Sequence, residues 1–329
     1  MGIVGTNNLT LVEQAKRLDP DGSMAVVAEL LSQTNQMIVD VPFVEGNLDT
    51  GHRYVQRTGL PDISWRRANR GVTPTKSETA QIDETSGRME ALSVVDELVA
   101  EAGGMDRVAA TRLGEAQAHI EAMGQEFATK LIYGNQSTDP DEITGLAPRY
   151  NSVAQQNVID GGGTGSDNTS IWLITWAPNK VYGFYPKGMA AGLQRRDYGK
   201  DLIQDSTGVA GAQLAAYREQ FKWDVGLALQ DWRYVVRLAN IDVSDLVGGT
   251  GITVINNMVK MIHTNQNPAA GRSVFYMNRT VMAALDDQAL DKANLRLQVG
   301  EEEGKMKTML RGIPIHLTDA LVNTEAQVV

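Results

Sequence analysis

Apolar residues recur at three- and four-residue steps between about Asp106 and Tyr133: Leu113, Ala116, Ile120, Met123, Phe127 and Leu131. That spacing puts them on one face of a helix, with Glu115, Gln117, Glu121, Gln125 and Lys130 on the others. Gly103-Gly104 frees the chain before the helix, Asp106 is a candidate N-cap, and Gly134-Asn135 ends it. At 1.5 Å per residue it runs roughly 40 Å. Gly114 and Gly124 each cost about 1 kcal/mol against alanine. They are either weak points in a core helix or places where a backbone or a neighbouring subunit comes close.

The same reading covers the rest of the chain. The first 35 residues predict two short helices on an arm. Thr10 and Glu13 form a capping-box pair ahead of Leu11, Val12 and Ala15, Asp19-Pro20-Asp21-Gly22 is a turn, and Met24 to Leu31 is a second apolar run. Neither helix is long enough to stand alone in water, so each needs a surface. Gly59, Pro61, Gly71 and Pro74 punctuate the stretch from Gly51 to Lys76, and Thr79 to Ile82 suits a returning strand. This predicts a long two-stranded excursion with little core of its own. Residues 134 to 170 are polar and turn-rich and predict a loop or a mobile insertion, with Gly161-Gly162-Gly163-Thr164-Gly165 read as a flexible loop.

Ile171 to Trp176 is a continuous apolar run, hence a buried strand, and Val181 to Tyr185 a second strand. Phe221, Trp223, Val225, Leu227 and Leu229 alternate on odd positions; Trp232, Tyr234, Val236 and Leu238 continue on even ones. The slip at Gln230-Asp231 predicts a bulge or turn. Ile255, Met258, Val259 and Ile262 mark an amphipathic helix, Ser273 to Met277 a strand, Thr280 to Leu290 a helix and Arg311 to Leu317 a last strand. The final residues carry no structural signal. Helices and strands mix without strict alternation, so the fold class is α+β.

Charge adds a division that periodicity does not show. The 329 residues carry a net charge of −10, unlike a monomer that grips DNA by counterion release. From Gly51 to Lys76 the bases Arg53, Arg57, Arg66, Arg67, Arg70 and Lys76 face one acid, Asp62. From Ser77 to Glu126 eleven acids face three bases. These are either two solvated faces that never meet, or a head-to-tail contact between copies, the basic excursion of one lying on the acidic side of the next.

Composition is that of a globular protein too long for one typical core. No run of eighteen apolar residues suggests a membrane span, and the first residues lack a signal-peptide pattern. Met1-Gly2 with Thr6 fits the loose myristoylation pattern, which chance also supplies. Cysteine is absent, removing disulfides and thiolate sites together. His52, His119, His263 and His316 show no metal-ligand spacing, and His119 reads as a surface residue. The glycine run lacks a Walker ending, and no GxSxG elbow occurs. Neither a catalytic residue, a metal site nor a cofactor is expected. Trp65 with Arg66, Arg67 and Arg70 could grip phosphates and stack a base, or form a basic interface.

A resemblance then joins these features. Phe43-Val44-Glu45-Gly46-Asn47, Gly51-His52-Arg53, Arg57-Thr58-Gly59-Leu60-Pro61, Trp65-Arg66 and Gly71-Val72 are followed by Gln125-Glu126-Phe127-Ala128, Tyr133-Gly134-Asn135 and Gly145-Leu146-Ala147-Pro148-Arg149-Tyr150. Then come Thr169-Ser170-Ile171-Trp172, Phe184-Tyr185-Pro186-Lys187-Gly188 and Trp232-Arg233-Tyr234-Val235-Val236. In this order they resemble the major capsid proteins of tailed double-stranded DNA bacteriophages, which share the HK97-like fold, and most of all the coat proteins of short-tailed and related phages. Tyr276-Met277-Asn278-Arg279-Thr280 resembles the strand-to-helix step of the apical domain, and Leu310-Arg311-Gly312-Ile313-Pro314-Ile315 the closing peripheral strand.

The resemblance implies an N-terminal arm over 1–45, an extended loop over 46–95 that overlies a neighbour, and a peripheral domain over 96–149 with its spine helix at about 106–133. It further implies an axial domain over 150–300, with peripheral strands near 221–240, and a peripheral strand and tail over 301–329. Copies would form pentamers and hexamers, assemble in a bacterial cytoplasm and close into an icosahedral virion shell around DNA held without sequence-specific binding. Partners would be a scaffolding protein and a portal, with a cement or decoration protein as a further candidate. Inter-subunit contacts are expected from Arg53, Arg57, Trp65, Arg66, Arg67, Arg70 and Lys76, facing acids such as Glu97, Glu101, Glu115 and Glu121 on a neighbour. No covalent cross-link through Lys76 is expected. The competing readings are a single-stranded nucleic-acid binder using Trp65 and its arginines, and an enzyme with an unrecognised acidic site.

Overall fold

The computed structural model describes residues 9, 33–102, 104–204, 212–246, 251–290, 297–302 and 305–329. The two arm helices expected from the sequence lie outside the described residues. In chain order the elements are α1 (Gln36–Asp40), β1 (Phe43–Glu45), β2 (Gly51–Gly59), β3 (Glu78–Thr85), β4 (Gly87–Asp96), α2 (Glu97–Glu101), α3 (Val108–Tyr133), β5 (Val158–Asp160), β6 (Asn168–Trp176), β7 (Val181–Tyr185) and β8 (Gln194–Gln204). They continue with β9 (Gln213–Leu229), β10 (Val235–Asp242), α4 (Val243–Leu246), α5 (Gly251–Thr264), β11 (Arg272–Met277), α6 (Arg279–Leu290), β12 (Leu297–Glu302), β13 (Lys305–Leu310) and β14 (Ile313–Leu317). The chain divides into two compact units: Met1–Gln33 with Arg88–Phe127 and Gly192–Asp224, and Thr34–Gly87 with Ala128–Ala191 and Val225–Val329.

The larger unit is built on a sheet of order β12-β13-β14-β11-β6-β10-β5. Its central strand β6 is buried along its whole length, as the apolar run predicts. One face carries Ile171, Leu173, Val236, Leu238, Phe275 and Ile315, and α5 and α6 cover it through Ile255, Met258, Met261, Val281 and Leu285. The other face receives the alternate residues. There Arg237 pairs in register with Trp172, Trp172 with Tyr276, and Tyr276 with His316. One row of bulky side chains thus crosses four strands.

Both ends of that row are closed by chain from elsewhere. Asp40 at the end of α1 accepts from Tyr276 Oη (2.6 Å), lies 2.6 Å from His316 Nδ1, and pairs with Arg272 (2.9 Å). Glu325 in the C-terminal segment takes Arg237 (2.9 Å) and also bonds Tyr133 and Ser170. Burial, then the neighbouring carboxylate, raises the pKa of both Tyr276 and Tyr133. The final residues, which carry no structural signal in the sequence, are a packed segment: Val328 exchanges two hydrogen bonds with the Asn240 side chain, and Gln327 N–H donates to Gly165 O.

The glycine-rich stretch also differs from expectation. It is a continuation of β5 along β10, with Gly161 N–H on Ala239 O and Gly163 N–H on Asn240 O, both at 2.8 Å. A Cβ on Gly161 would lie 2.5 Å from Asn240 O, and one on Gly163 2.4 Å from Asn168 Oδ1. The glycines permit close backbone approach rather than flexibility. The last strand starts at Ile313, not Arg311. Arg311 (φ 52°) and Gly312 (φ 77°) form the two-residue turn of a β13–β14 hairpin, where left-handed backbone matches strand twist. The predicted slip at Gln230-Asp231 is a turn and a short 3₁₀ helix, Trp232–Tyr234, before β10.

In the smaller unit the first turns of α3 pack on the β9 strand. Ala116 and Met123 meet Phe221, flanked by Met89, Ala91 and Trp223. Phe127 lies 4.5 Å from Trp223 between ring centroids. His119 stacks on Phe221 and is only half-exposed, so it is not the surface residue expected. The helix is rotated relative to the expected face: Leu113 is 59% exposed and Ile120 44%. The packed arc runs instead through Arg112, Ala116, His119 and Met123. Arg112 reaches Asp197 (2.6 Å) and the buried Glu219 (2.5 Å), which also pairs with Arg195 (2.8 Å). Asp106 does not stand at an N-cap position: it lies inside a 3₁₀ turn, Met105–Arg107, ahead of α3, and Gly104 precedes that turn.

Candidate assembly interface

The basic excursion is an antiparallel hairpin of β2 and β3 in the larger unit, registered from Gly51↔Thr85 to Gly59↔Glu78. It ends at Thr85. The following strand, β4, joins the sheet containing β9 rather than the hairpin. A two-stranded ribbon is marginal by itself, so its root is held by side chains. Tyr54 packs with Tyr182, Phe184 and Ala228. Its hydroxyl lies 3.0 Å from both Leu229 O and Glu84 Oε1. Gln56 Nε2 donates to Leu229 O (3.1 Å) and Gln230 O (2.7 Å). Arg149 forks onto Glu84 at 2.5 and 2.8 Å; burial opposes its charge, but the Glu84 contact prevails and raises its pKa.

His52 sits in the same root. Its Nε2 is 2.9 Å from Tyr182 Oη, while Nδ1 is buried without a hydrogen-bond partner. Burial lowers its pKa, with Glu84 acting in the opposite sense. Burial, followed by Glu84, pushes the Tyr182 phenol up to about 12.

Beyond Gly59 regular pairing stops, and every residue from 62 to 76 is exposed. Two local devices shape this tip. Arg70 N–H returns to Arg67 O across a turn in which Asn69 has φ 63°, and Arg66 Nε donates to Arg70 O (2.7 Å). Thr75 Oγ1 donates to Asp62 O (2.8 Å), tying the two sides together. Trp65 is fully exposed, with Leu60 and Ile63 nearly so. Trp65, Arg66, Arg67, Arg70 and Lys76 therefore share one projecting segment, with Arg57 at its base. Arg53 differs: it is engaged by Asp83 directly opposite in register, at 2.6 and 2.7 Å, and holds that carboxyl below its usual range.

The expected acidic partners lie in the smaller unit, on α2 and α3. Glu97 pairs with Lys200. Glu101 takes Lys200 (3.5 Å) and the Tyr217 hydroxyl (3.0 Å). Glu121 accepts Gln125 Nε2 (2.9 Å) and Gln33 N–H (3.0 Å), which depress its pKa in that order. Glu115 also has partners in its own chain.

The buried charges were not found as partners in the sequence, because each mate is distant along the chain. The available signal was Arg237 itself, a lone charge inside the apolar run Val235 to Ala239, which requires a buried counter-charge. Among the described residues no group of three His, Asp or Glu could hold a metal ion, and no helix is long and apolar enough to cross a membrane.

Comparison with known proteins gives a consistent result. A family model described as major capsid protein GP7 matches residues 19–329. No curated protein matches the sequence. A chain from the structure of bacteriophage Epsilon15 is 32% identical, with a TM-score of 0.79, covering 100% of this chain and 99% of that one. The capsid of bacteriophage JBD30 shares the fold at 10% identity, with a TM-score of 0.52, over 89% of this chain and 93% of that one.

Proposed function

The chain belongs to the major capsid protein GP7 family, and from that premise we propose that residues 60–77 form an assembly contact that each copy lays on the next. A major capsid protein is structural, and its fold here is the HK97-like one. Its place is the virion capsid. The observation that carries the proposal is the tip itself, exposed from 62 to 76 yet bearing an indole and an arginine cluster on a firmly bonded root. An aromatic side chain of 150–250 Å² is worth on the order of 4 kcal/mol when buried at about 25 cal/mol per Å², before ordering costs. A fully exposed Trp65 forgoes that gain in the isolated subunit.

Arg57, Arg66, Arg67, Arg70 and Lys76 supply positive charge, and the α2–α3 side of a neighbour supplies negative charge. Glu97, Glu101 and Glu121 would share their present partners with the incoming arginines. Arg53 contributes less, since Asp83 already neutralises it. Such a head-to-tail contact repeats around a ring. Pentamers and hexamers of this kind would close into an icosahedral shell in a bacterial cytoplasm, aided by a scaffolding protein, a portal and a decoration protein. The arm would cover 1–45, the extended loop 46–95, the peripheral domain 96–149, the axial domain 150–300 and the closing strand with its tail 301–329. Net acidity lets the shell hold DNA without gripping it. Lys76 forms no covalent cross-link; a ladder in mass spectra of disrupted shells would contradict this.

Electron microscopy of the purified protein tests the reading. Shells, rings or sheets are expected, and Arg66→Glu should abolish them while leaving helix content intact. A dispersed small oligomer at high concentration would overturn it. Salt-dependent oligonucleotide binding lost on Arg66→Glu would favour the nucleic-acid reading, to which the exposed Trp65 also points.

A further inference from the structure

His52 is a titratable group at the hairpin root, placed where the hairpin meets the body of the larger unit. It lies on β2 directly opposite Glu84 of β3. Its ring sits among Tyr54 of the same strand and Tyr182 and Phe184 of β7, at centroid distances of 6.2, 5.7 and 5.5 Å. Nε2 is 2.9 Å from Tyr182 Oη, and that hydroxyl donates to Gln230 Oε1 at 3.3 Å. With the phenol proton spent on Gln230, Nε2–H donates to the Tyr182 oxygen, which assigns the neutral imidazole its tautomer. Nδ1 is then a bare acceptor, buried without a partner.

A further proton can go only to Nδ1, where it would be a buried N–H without an acceptor. The groups facing the ring are already committed. Tyr54 Oη lies 3.0 Å from both Glu84 Oε1 and Leu229 O. Arg149 holds the two Glu84 oxygens at 2.5 and 2.8 Å and sets a positive charge behind them. Arg53 and Asp83, next along the two strands, pair with each other at 2.6 Å. Burial disfavours an imidazolium here more than Glu84 favours it. Turning the ring outward brings the charge to water, but gives up the Tyr182 bond and the seat against Phe184. A two-stranded ribbon is marginal without such holds.

We propose that His52 is a proton-operated latch on the hairpin. Neutral, it clamps β2 against β7 and fixes where the tip points; charged, it turns outward and frees the hairpin to swing. This rests on the assembly reading above, in which the direction of the tip decides where a copy docks, and it names a control of that contact.

Hydrogen exchange of the dispersed full chain between pH 7.5 and 5.5, corrected for intrinsic rates, reads the root directly. A histidine that titrates at about 6.5 once released can raise the opening equilibrium by at most about elevenfold at pH 5.5. Protection of the β2 amides should therefore fall roughly three- to tenfold, setting in at about pH 6.5, while β6 amides hold theirs. His52→Gln keeps a neutral polar side chain and should reduce the fall to less than about twofold. No fall in wild type, or an equal fall in β2 and β6, overturns the latch. So does an onset near pH 4, where carboxylates titrate, or the same fall in His52→Gln. The first three outcomes need no substitution and decide the case if the variant does not fold. Absence of shells, rings or sheets from wild type at both pH values would instead overturn the assembly reading, and exchange would still decide the latch.

Discussion

Arg237 and Glu325 form an ion pair of 2.9 Å across 88 positions of sequence, and both side chains are about 5% exposed. Arg237 also donates to Tyr150 O (2.8 Å) and Ser170 Oγ (3.1 Å) and lies over the Trp172 ring. The pair fastens the C-terminal segment to the face of the sheet that α5 and α6 leave free. Removing one partner leaves a buried charge uncompensated, which costs about 3–5 kcal/mol. Glu325→Ala should therefore lower the urea midpoint sharply. Arg237→Met combined with Glu325→Leu should recover much of the loss. A midpoint for Glu325→Ala equal to wild type would show that the pair does not hold the tail.

Two glycine-to-alanine changes should act in opposite directions. Gly161→Ala places a methyl 2.5 Å from Asn240 O, where backbone would have to move. A loss of about 1–3 kcal/mol is expected. Gly114→Ala fills open space on a helix and should gain up to about 1 kcal/mol. Thermal unfolding of the two variants beside wild type checks both signs.

The hairpin root should be sensitive to mild acid. Because burial holds the folded pKa of His52 below 6.5, the unfolded chain takes up this proton more readily than the folded one. Stability from this site is complete above pH 6.5 and declines as pH falls from 6.5 toward the folded value. The depressed aspartates, among them Asp319 beside Arg279, act in a lower window: their contribution is present above 3.8 and lost as pH falls through their folded values. Urea midpoints between pH 7.5 and 5 should fall in wild type and fall less in His52→Gln. Parallel curves would remove His52 from the account.

Trp65→Ala should separate folding from assembly. The side chain touches solvent alone in the single subunit, so stability should change by no more than about 0.5 kcal/mol. Shell yield, read by sedimentation and microscopy, should drop steeply. A variant that assembles normally would deny the indole any part in the contact.

Local pattern was enough to identify several elements. The unbroken apolar run Ile171–Trp176 is the buried β6, the slip at Gln230-Asp231 is a real turn, and the basic stretch punctuated by Gly59 and Pro74 is a projecting hairpin. Period and turn chemistry are short-range properties that a chain states residue by residue. The rest was decided by what came to lie alongside. The 3.6-residue period places Leu113 and Ile120 with Ala116 and Met123, but only the seat on Phe221 and Trp223 determines which edge of that face is covered. Gly161 to Gly163 read as a loose loop until Asn240 is packed against them. Asp40 with His316, and Arg237 with Glu325, meet because strand alternation turns them to the sheet face that the two terminal segments cover. A buried charge in a sequence announces that it needs a partner; which partner is settled by the tertiary structure, since desolvation makes a pairing obligatory only after the fold has excluded water.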